Sequence, residues 1–226
     1  MIKWDVNFDN IKWADPIVNT TDETEGINPS DMFCGLCEDE MGQYASANRV
    51  FIPIKYKTFI KKLTRQISKY PSDFSTKPFK RYAYITSRVH KGAVRELDEY
   101  LMILDTDSKA DMLNAIKYID KLGIKHCTIR SSPTKFWIVC DKIGTMSDLL
   151  PIMFEITGVD MDYVSCAARQ SCLLFRAFPK QGFIPQVGKI NKKCSLHFRK
   201  WMVQFKKHWE SKEVSRLNDI LFAEAL

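Results

Sequence analysis

No stretch of the chain approaches the roughly 18 uninterrupted apolar residues that a membrane helix needs, and its first residues, MIKWDVNFDN, lack the basic-then-apolar order of a secretory signal. Both absences lead us to expect a soluble, cytoplasmic protein without a membrane partner. Glycine and proline are scarce, at nine each in 226 residues, which excludes fibrous and low-complexity classes. Internal repeats are missing, so no solenoid is expected. The seven cysteines are odd in number and irregularly spaced, which argues against a disulfide scaffold and for a reducing compartment. Cys34-Gly-Leu-Cys37 is only half of a zinc site: no second CxxC or HxxxH lies near it, and a fold-dependent partner such as His90 would have to complete it. Zinc is therefore not expected. His90, His126, His197 and His208 form no spaced pair of the kind that marks a metalloenzyme.

What is present is a globular composition, 45% hydrophobic and 27% charged, long enough for one sizeable domain with or without a small appendage. The charge is unevenly spread. The first 45 residues hold ten Asp or Glu against Lys3 and Lys12, a net −8, which leaves +15 on residues 46–226 out of the overall +7. A basic remainder suits a polyanion, nucleic acid or a nucleoside triphosphate, although a basic soluble surface alone would have the same balance.

Residues 1–48 read as an acidic N-terminal arm or cap. Beyond it, residues 51–70 pass from a short apolar alternation into a helical pattern at Phe59, Ile60, Leu63 and Ile67 with lysines opposite. RYAYITS (81–87) alternates as a strand. EYLMILDTD is an apolar strand ending in acids, and residues 110–123 form a helix with Leu113, Ile116, Ile119 and Leu122 on one side and Gly123 closing it. HCTIRSS and KFWIVCD, separated by Ser132-Pro133-Thr134, read as a hairpin. Residues 146–158 are helical with Ser147 as N-cap, 171–178 a buried strand, and 195–210 a closing helix. Mixed order of this kind predicts an α+β fold, helices packed on a mixed or antiparallel sheet.

The strongest chemical signal is Asp105-Thr106-Asp107. Residues i and i+2 of a strand share a face, so two carboxylates project together, and oxygen ligands at a strand end suit Mg²⁺ or Mn²⁺ carrying phosphates. Two solvated acids before a capped helix would have the same spacing. In the hairpin turn, Ser131 and Ser132 offer hydroxyls and backbone N–H groups to a phosphate, with Arg130 and Lys135 supplying charge, unless the turn is simply a polar surface turn. Asp160 and Asp162 precede Arg176 and Lys180, a set fit for a metal and a triphosphate or for surface ion pairs. At the C-terminus, Lys192, Lys193, Arg199, Lys200, Lys206 and Lys207 interleave with Phe198, Trp201 and Trp209, either as a single-strand track or as core aromatics with a solvated basic face.

In their order, a DxD at a strand end, a Ser-containing hairpin, and an Asp followed by Arg and Lys, these segments resemble the catalytic core of the archaeo-eukaryotic primase superfamily, the primase-polymerases of plasmids, phages and mobile elements. The resemblance spans about residues 82–182 and implies a core over 49–185, with 186–226 a basic, aromatic helical segment packed on it. It makes Asp105 and Asp107 metal ligands for Mg²⁺ or Mn²⁺, with Asp162 as the third acid and Asp160 its rival. Ser132 would contact the nucleotide phosphates, and Arg176 and Lys180 would line the triphosphate or template. Trp137 stands where the family has a His, so either Lys135 and Trp137 take over that contact or nucleotidyl transfer has been lost. The implied function is a nucleotidyltransferase that makes or extends primers from nucleoside triphosphates on a single-stranded DNA or RNA template, in replication of a mobile element, with a replicative helicase as a candidate partner. Its alternative is an inactive nucleic-acid-binding or replication-initiation protein of the same fold. A sheet-surface RNA-binding module is a third reading, but the aromatic pattern it needs is absent.

Overall fold

The structure, a computed structural model, describes residues 33–38, 56–75, 81–90, 98–180 and 182–223. Of the acidic arm, only Phe33–Glu38 falls among them. Those six residues form β1. They are followed by α1 (Tyr56–Lys69), α2 (Pro71–Ser75), β2 (Arg81–Thr86), β3 (Arg88–His90), β4 (Glu99–Thr106), α3 (Lys109–Lys121), β5 (His126–Arg130) and β6 (Phe136–Gly144). The chain continues through α4 (Met146–Glu155), α5 (Met161–Gln170), β7 (Leu174–Arg176), β8 (Gln186–Val187), α6 (Leu196–Trp209) and α7 (Lys212–Ala223).

The α+β class is as expected, and every strand pairing among the described residues is antiparallel. The strands form two sheets where one was expected. Three strands lie in the order β1-β2-β7 and five in the order β3-β4-β6-β5-β8. Ser87 is the corner between them. Its N–H donates to Leu173 O at 3.2 Å, its carbonyl accepts from Leu101 N at 2.9 Å, and its buried hydroxyl donates to Leu101 O at 2.7 Å. One continuous extended segment thus leaves the small sheet and enters the large one, and the hydroxyl satisfies a carbonyl that the bend would otherwise strand.

β4 and β6 form the middle of the large sheet, paired from Tyr100↔Gly144 to Thr106↔Phe136. Leu101 to Leu104 and Trp137 to Cys140 are all buried, so both faces of these strands are covered, which is why they read as apolar runs and not as alternation. α3 and α4 pack on β4 and β6. An aromatic cluster joins the two sheets to the C-terminal segment: Phe175 of β7 lies 5.0 Å from Trp137, 5.7 Å from Trp201 and 4.7 Å from Phe205, centroid to centroid. Ser195 caps α6 and donates from Oγ to Asp141 Oδ1 at 2.6 Å, fixing that helix to β6.

Several local expectations need correction. The buried stripe of α3 is Met112, Ala115 and Ile119; Leu113 and Leu122 are 46% and 49% exposed, because the true stripe starts one residue earlier and passes through an alanine. Thr145, not Ser147, caps α4, sharing a reciprocal capping box with Asp148. The strand expected over 171–178 shrinks to Leu174–Arg176, although Ala177 still donates to Ala83 O at 2.8 Å. Of the two readings of the α6 aromatics, the core one is borne out, since Phe198, Trp201 and Trp209 are buried. Helix α7 was not foreseen as a separate element. Cys34 and Cys37 stand opposite Ile85 and Tyr82 on β1, but their side chains, like that of His90, lie outside the described residues. Among the described residues no helix is long and apolar enough to cross a membrane.

Candidate active site

β4 ends in the sequence Leu104-Asp105-Thr106, and the last turn of its ladder fixes what the acids do. Thr106 is fully buried and donates from Oγ1 to Phe136 O at 3.0 Å, pinning the strand end to β6. Asp105 stands opposite Trp137 in the register and is half-buried, with its Oδ1 shut off from solvent and without a hydrogen-bond partner. Asp107, just past the strand, is exposed, and its Oδ1 is held by the ammonium of Lys135 from the β5–β6 turn. The two carboxylates therefore meet different surroundings.

The turn itself is tightly self-bonded. Ser131 and Ser132 both direct their N–H groups to Lys135 O, at 3.0 and 3.3 Å, and Ser132 Oγ accepts from Lys135 N at 3.0 Å and Thr134 N at 3.4 Å. Those backbone donors are spent inside the turn, so the expected cradle of N–H groups for a phosphate is not there. Ser132, half-exposed, keeps its O–H to donate, while Ser131 is buried. Arg130 donates to Pro133 O at 2.8 Å and lies over the Phe183 ring.

A third segment arrives from the start of α5. Gly158, at φ +90°, lies where a Cβ would sit 2.5 Å from Asp111 O, so only glycine lets the α4–α5 link pass this close to α3. Two residues on, Asp160 caps α5, its Oδ1 accepting from Asp162 N at 2.9 Å and Tyr163 N at 3.3 Å, while its own N–H donates to Asp105 O at 2.8 Å. That bond ties the helix start to the acid-bearing strand end. Asp162 is exposed on the first turn of α5. Tyr163 reaches across to donate to Leu174 O at 3.3 Å, and its phenol is pushed well above its usual pKa by burial and then by Asp105.

β7 supplies a half-buried cation. Arg176 donates from Nε to Phe178 O at 2.9 Å and from a terminal nitrogen to Ser131 O at 3.4 Å, and its guanidinium lies 5.8 Å from the Trp137 ring and 5.9 Å from the Phe178 ring. Burial lowers its pKa to about 10, with the charge of Asp105 acting the other way. Trp137 is 6% exposed, wedged between Phe175, Trp209 and Arg176. Lys180 forms an isolated antiparallel bridge with Phe183.

The electrostatics converge on Asp105. Its pKa is pushed up from 3.8 to about 7, first by burial, then by the charge of Asp160, and further by Asp107, against the pull of Lys135 and Arg176. Lys135 is raised, chiefly by its hydrogen bond to Asp107, and Asp105 and Asp160 add to that. Of the two candidates for the third acid, Asp160 and not Asp162 is the one whose charge reaches Asp105. Five side chains from four separate segments thus share one field: Asp105, Asp107, Lys135, Asp160 and Arg176. Among the described residues no three His, Cys, Asp or Glu side chains already stand in a coordination set.

The chain matches no family model, no curated protein and no solved structure. Its function has to be argued from the site.

Sequence reasoning did not single out Tyr163, Gly158 or Ser87. Gly158 and Asp160 carried a readable signal, a glycine followed two residues later by an acid opening an apolar helical run, which is how a turn and an N-cap look. Tyr163 and Ser87 carried none.

Proposed function

We propose that the chain is a divalent-metal-dependent nucleotidyltransferase of the primase-polymerase kind, joining nucleoside triphosphates to a primer on a single-stranded template. The observation that carries this reading is the buried, unpartnered Oδ1 of Asp105 beside the charge of Asp160 and Asp107. Like charges collected in a partly dry place are costly, and a bound cation is what relieves them. All the donors are carboxylate oxygens, which suit a hard ion such as Mg²⁺ or Mn²⁺. Asp105 and Asp107 would hold it, with Asp160 in the place of the third acid ahead of Asp162. Such an ion supplies a lowered pKa for an attacking 3′-hydroxyl and neutralises the leaving pyrophosphate.

The chain's own residues set the rest. Lys135 is the resident counter-ion of Asp107 and, on a stem about half exposed, can swing from that carboxylate to a phosphate when another cation takes its place. Arg176 cannot swing. Fixed by two carbonyls and two rings, it offers a stationary positive charge against the Asp105 side of the site. Ser132 keeps one O–H to donate to a phosphate oxygen, and the ladder between β4 and β6 holds acids and turn in fixed register.

The test is incorporation of a labelled nucleotide on a primed single strand with Mg²⁺ or Mn²⁺, beside calorimetric titration of Mn²⁺ alone. Asp107→Asn should abolish incorporation and weaken Mn²⁺ binding, while Lys135→Met should tighten Mn²⁺ binding yet slow turnover. Wild-type protein that incorporates nothing with either metal would overturn the enzymatic reading.

One observation favours a second reading, the same fold serving only to bind nucleic acid. Trp137, in the place where the family has a His, is packed into the aromatic cluster and is not at the mouth of a nucleotide pocket. In that reading Asp105 and its neighbours are an inherited site, and single-strand binding persists without incorporation.

A further inference from the structure

Helix α1 buries Phe59, Leu63 and Ile67, four residues apart, and packs through them toward α2, α7 and β1. Its other side carries Lys61, Lys62, Arg65 and Lys69, all exposed, and its sequence YKTFIKKLTRQISK contains no acid. Lys61, Arg65 and Lys69 recur every four residues, so like charges face one another along the helix, an arrangement that repels itself and weakens an isolated helix. The other lysine-bearing helices offset their cations with acids in or beside them. α3 intersperses Lys109, Lys117 and Lys121 with Asp111 and Asp120, α7 sets Glu213 and Asp219 among Lys212 and Arg216, and Lys206 of α6 pairs with Glu210 at 3.6 Å. Among the described residues Lys62, Arg65 and Lys69 pair with no acid.

Beside this row lies a groove of about 230 Å³ lined by Lys62, Arg65, Gln66, Lys69 and Tyr70, with Lys69 Nζ 5.0 Å from the Tyr70 ring centroid. Among the described residues the lining is three cations, one amide and one aromatic ring with no carboxylate, which suits a phosphodiester backbone, because the cations neutralise phosphates and release their counterions. A membrane-surface helix would present its apolar face outward, whereas that of α1 is buried in the core. We propose that the α1 groove holds the backbone of a single-stranded nucleic acid, as a contact separate from the acid cluster at the end of β4. The proposal rests on reading the chain as a protein that acts on nucleic acid, and it adds where the strand is held.

The full chain is titrated into a fluorescein-labelled, mixed-sequence single strand from low to high salt, beside the variant Lys62→Gln/Arg65→Gln/Lys69→Gln and the control Lys117→Gln/Lys121→Gln/Lys125→Gln on and after α3. The α1 variant should bind more weakly and its slope of log affinity against log salt should be shallower by about 2, at roughly 0.7 for each phosphate contact removed, while the control keeps the wild-type slope. Arg65→Gln alone should remove about 0.7 of slope, which keeps the measurement decisive should the triple variant melt early. Wild-type binding with an α1 variant of unchanged slope and affinity overturns the α1 assignment and leaves the nucleic-acid reading standing. No strand binding by wild type even at low salt overturns both. Binding of polyglutamate or of phosphatidylserine vesicles in place of the strand assigns the groove to an acidic protein or a lipid surface and likewise overturns it.

Discussion

Replacing Asp105 with asparagine should stabilise the protein while disabling the site, and the structure sets both the size and the pH window of that gain. The Asp105 carboxyl has its pKa raised from 3.8 to about 7. Between those values the folded protein holds a proton that the unfolded chain has released, so stability falls as pH rises and the loss is complete once pH passes about 7. At about 1.36 kcal/mol for each tenfold change in proton affinity, the ceiling is about 4 kcal/mol. Asparagine keeps the shape and removes the charge. Above pH 8 the Asn variant should therefore exceed wild type by about 2–4 kcal/mol, and near pH 4, where wild-type Asp105 is itself neutral, the two should be equal within about 0.5 kcal/mol.

The assay is urea unfolding of both proteins across pH in the presence of a chelator. The difference between them is what counts, because other groups titrate in the same range. His208, buried and bonded through Nε2 to Ala177 O at 2.9 Å, has its pKa lowered to about 4 and so contributes stability that is lost as pH falls below about 6.5. That slope is opposite in sign and cancels in the comparison. An Asn variant less stable than wild type at pH 8, or one whose advantage is as large at pH 4 as at pH 8, would refute the reasoning.

Two further outcomes follow from packing. Trp137→Ala should cost about 3–5 kcal/mol in denaturant unfolding, because it empties a space bounded by Phe175, Trp209 and Arg176; a cost under about 1 kcal/mol would mean the indole is not core. Gly158→Ala should destabilise by about 1–3 kcal/mol, since it combines a φ of +90° with a Cβ 2.5 Å from Asp111 O, and it should lower Mn²⁺ affinity by displacing Asp160 from Asp105; unchanged melting would show that the link relaxes freely.

Much of the fold was legible because its signals are local. The alternation of RYAYITS, the apolar run into Asp105, the hairpin around Pro133 and the helices at α1, α3 and α6 each rest on a periodicity that a window of a dozen residues contains. What failed was phase and partition. On α3 two exposed leucines outweighed a buried alanine in the hydrophobic pattern, although burial depends on which face meets the sheet and not on side-chain size. The split into two sheets hangs on Ser87, and nothing in a Thr-Ser-Arg sequence announces a strand that turns a corner.

The candidate site was legible as a set of parts and illegible as an arrangement, for a physical reason. Asp105 and Asp107 declare themselves by spacing, but spacing says only that they share a strand face, and the difference in their fates comes from elements far away in the chain. Asp107 is drawn to Lys135, 28 residues on, whereas Asp105 is surrounded by Asp160, Tyr163 and Arg176. The choice between Asp160 and Asp162 turns on a single backbone bond, Asp160 N to Asp105 O, which sets the start of α5 against the end of β4 and leaves Asp162 on the outer side of the first turn. Trp137 shows the same dependence. Its neighbours in β6 alternate no better than in any buried strand, and what covers its face is Phe175, Trp209 and the guanidinium of Arg176, all more than 35 residues away. The same arginine whose charge bears on Asp105 therefore also lies against the tryptophan ring, so a change at either residue should be felt at both, as lost stability and as a shifted Asp105 titration.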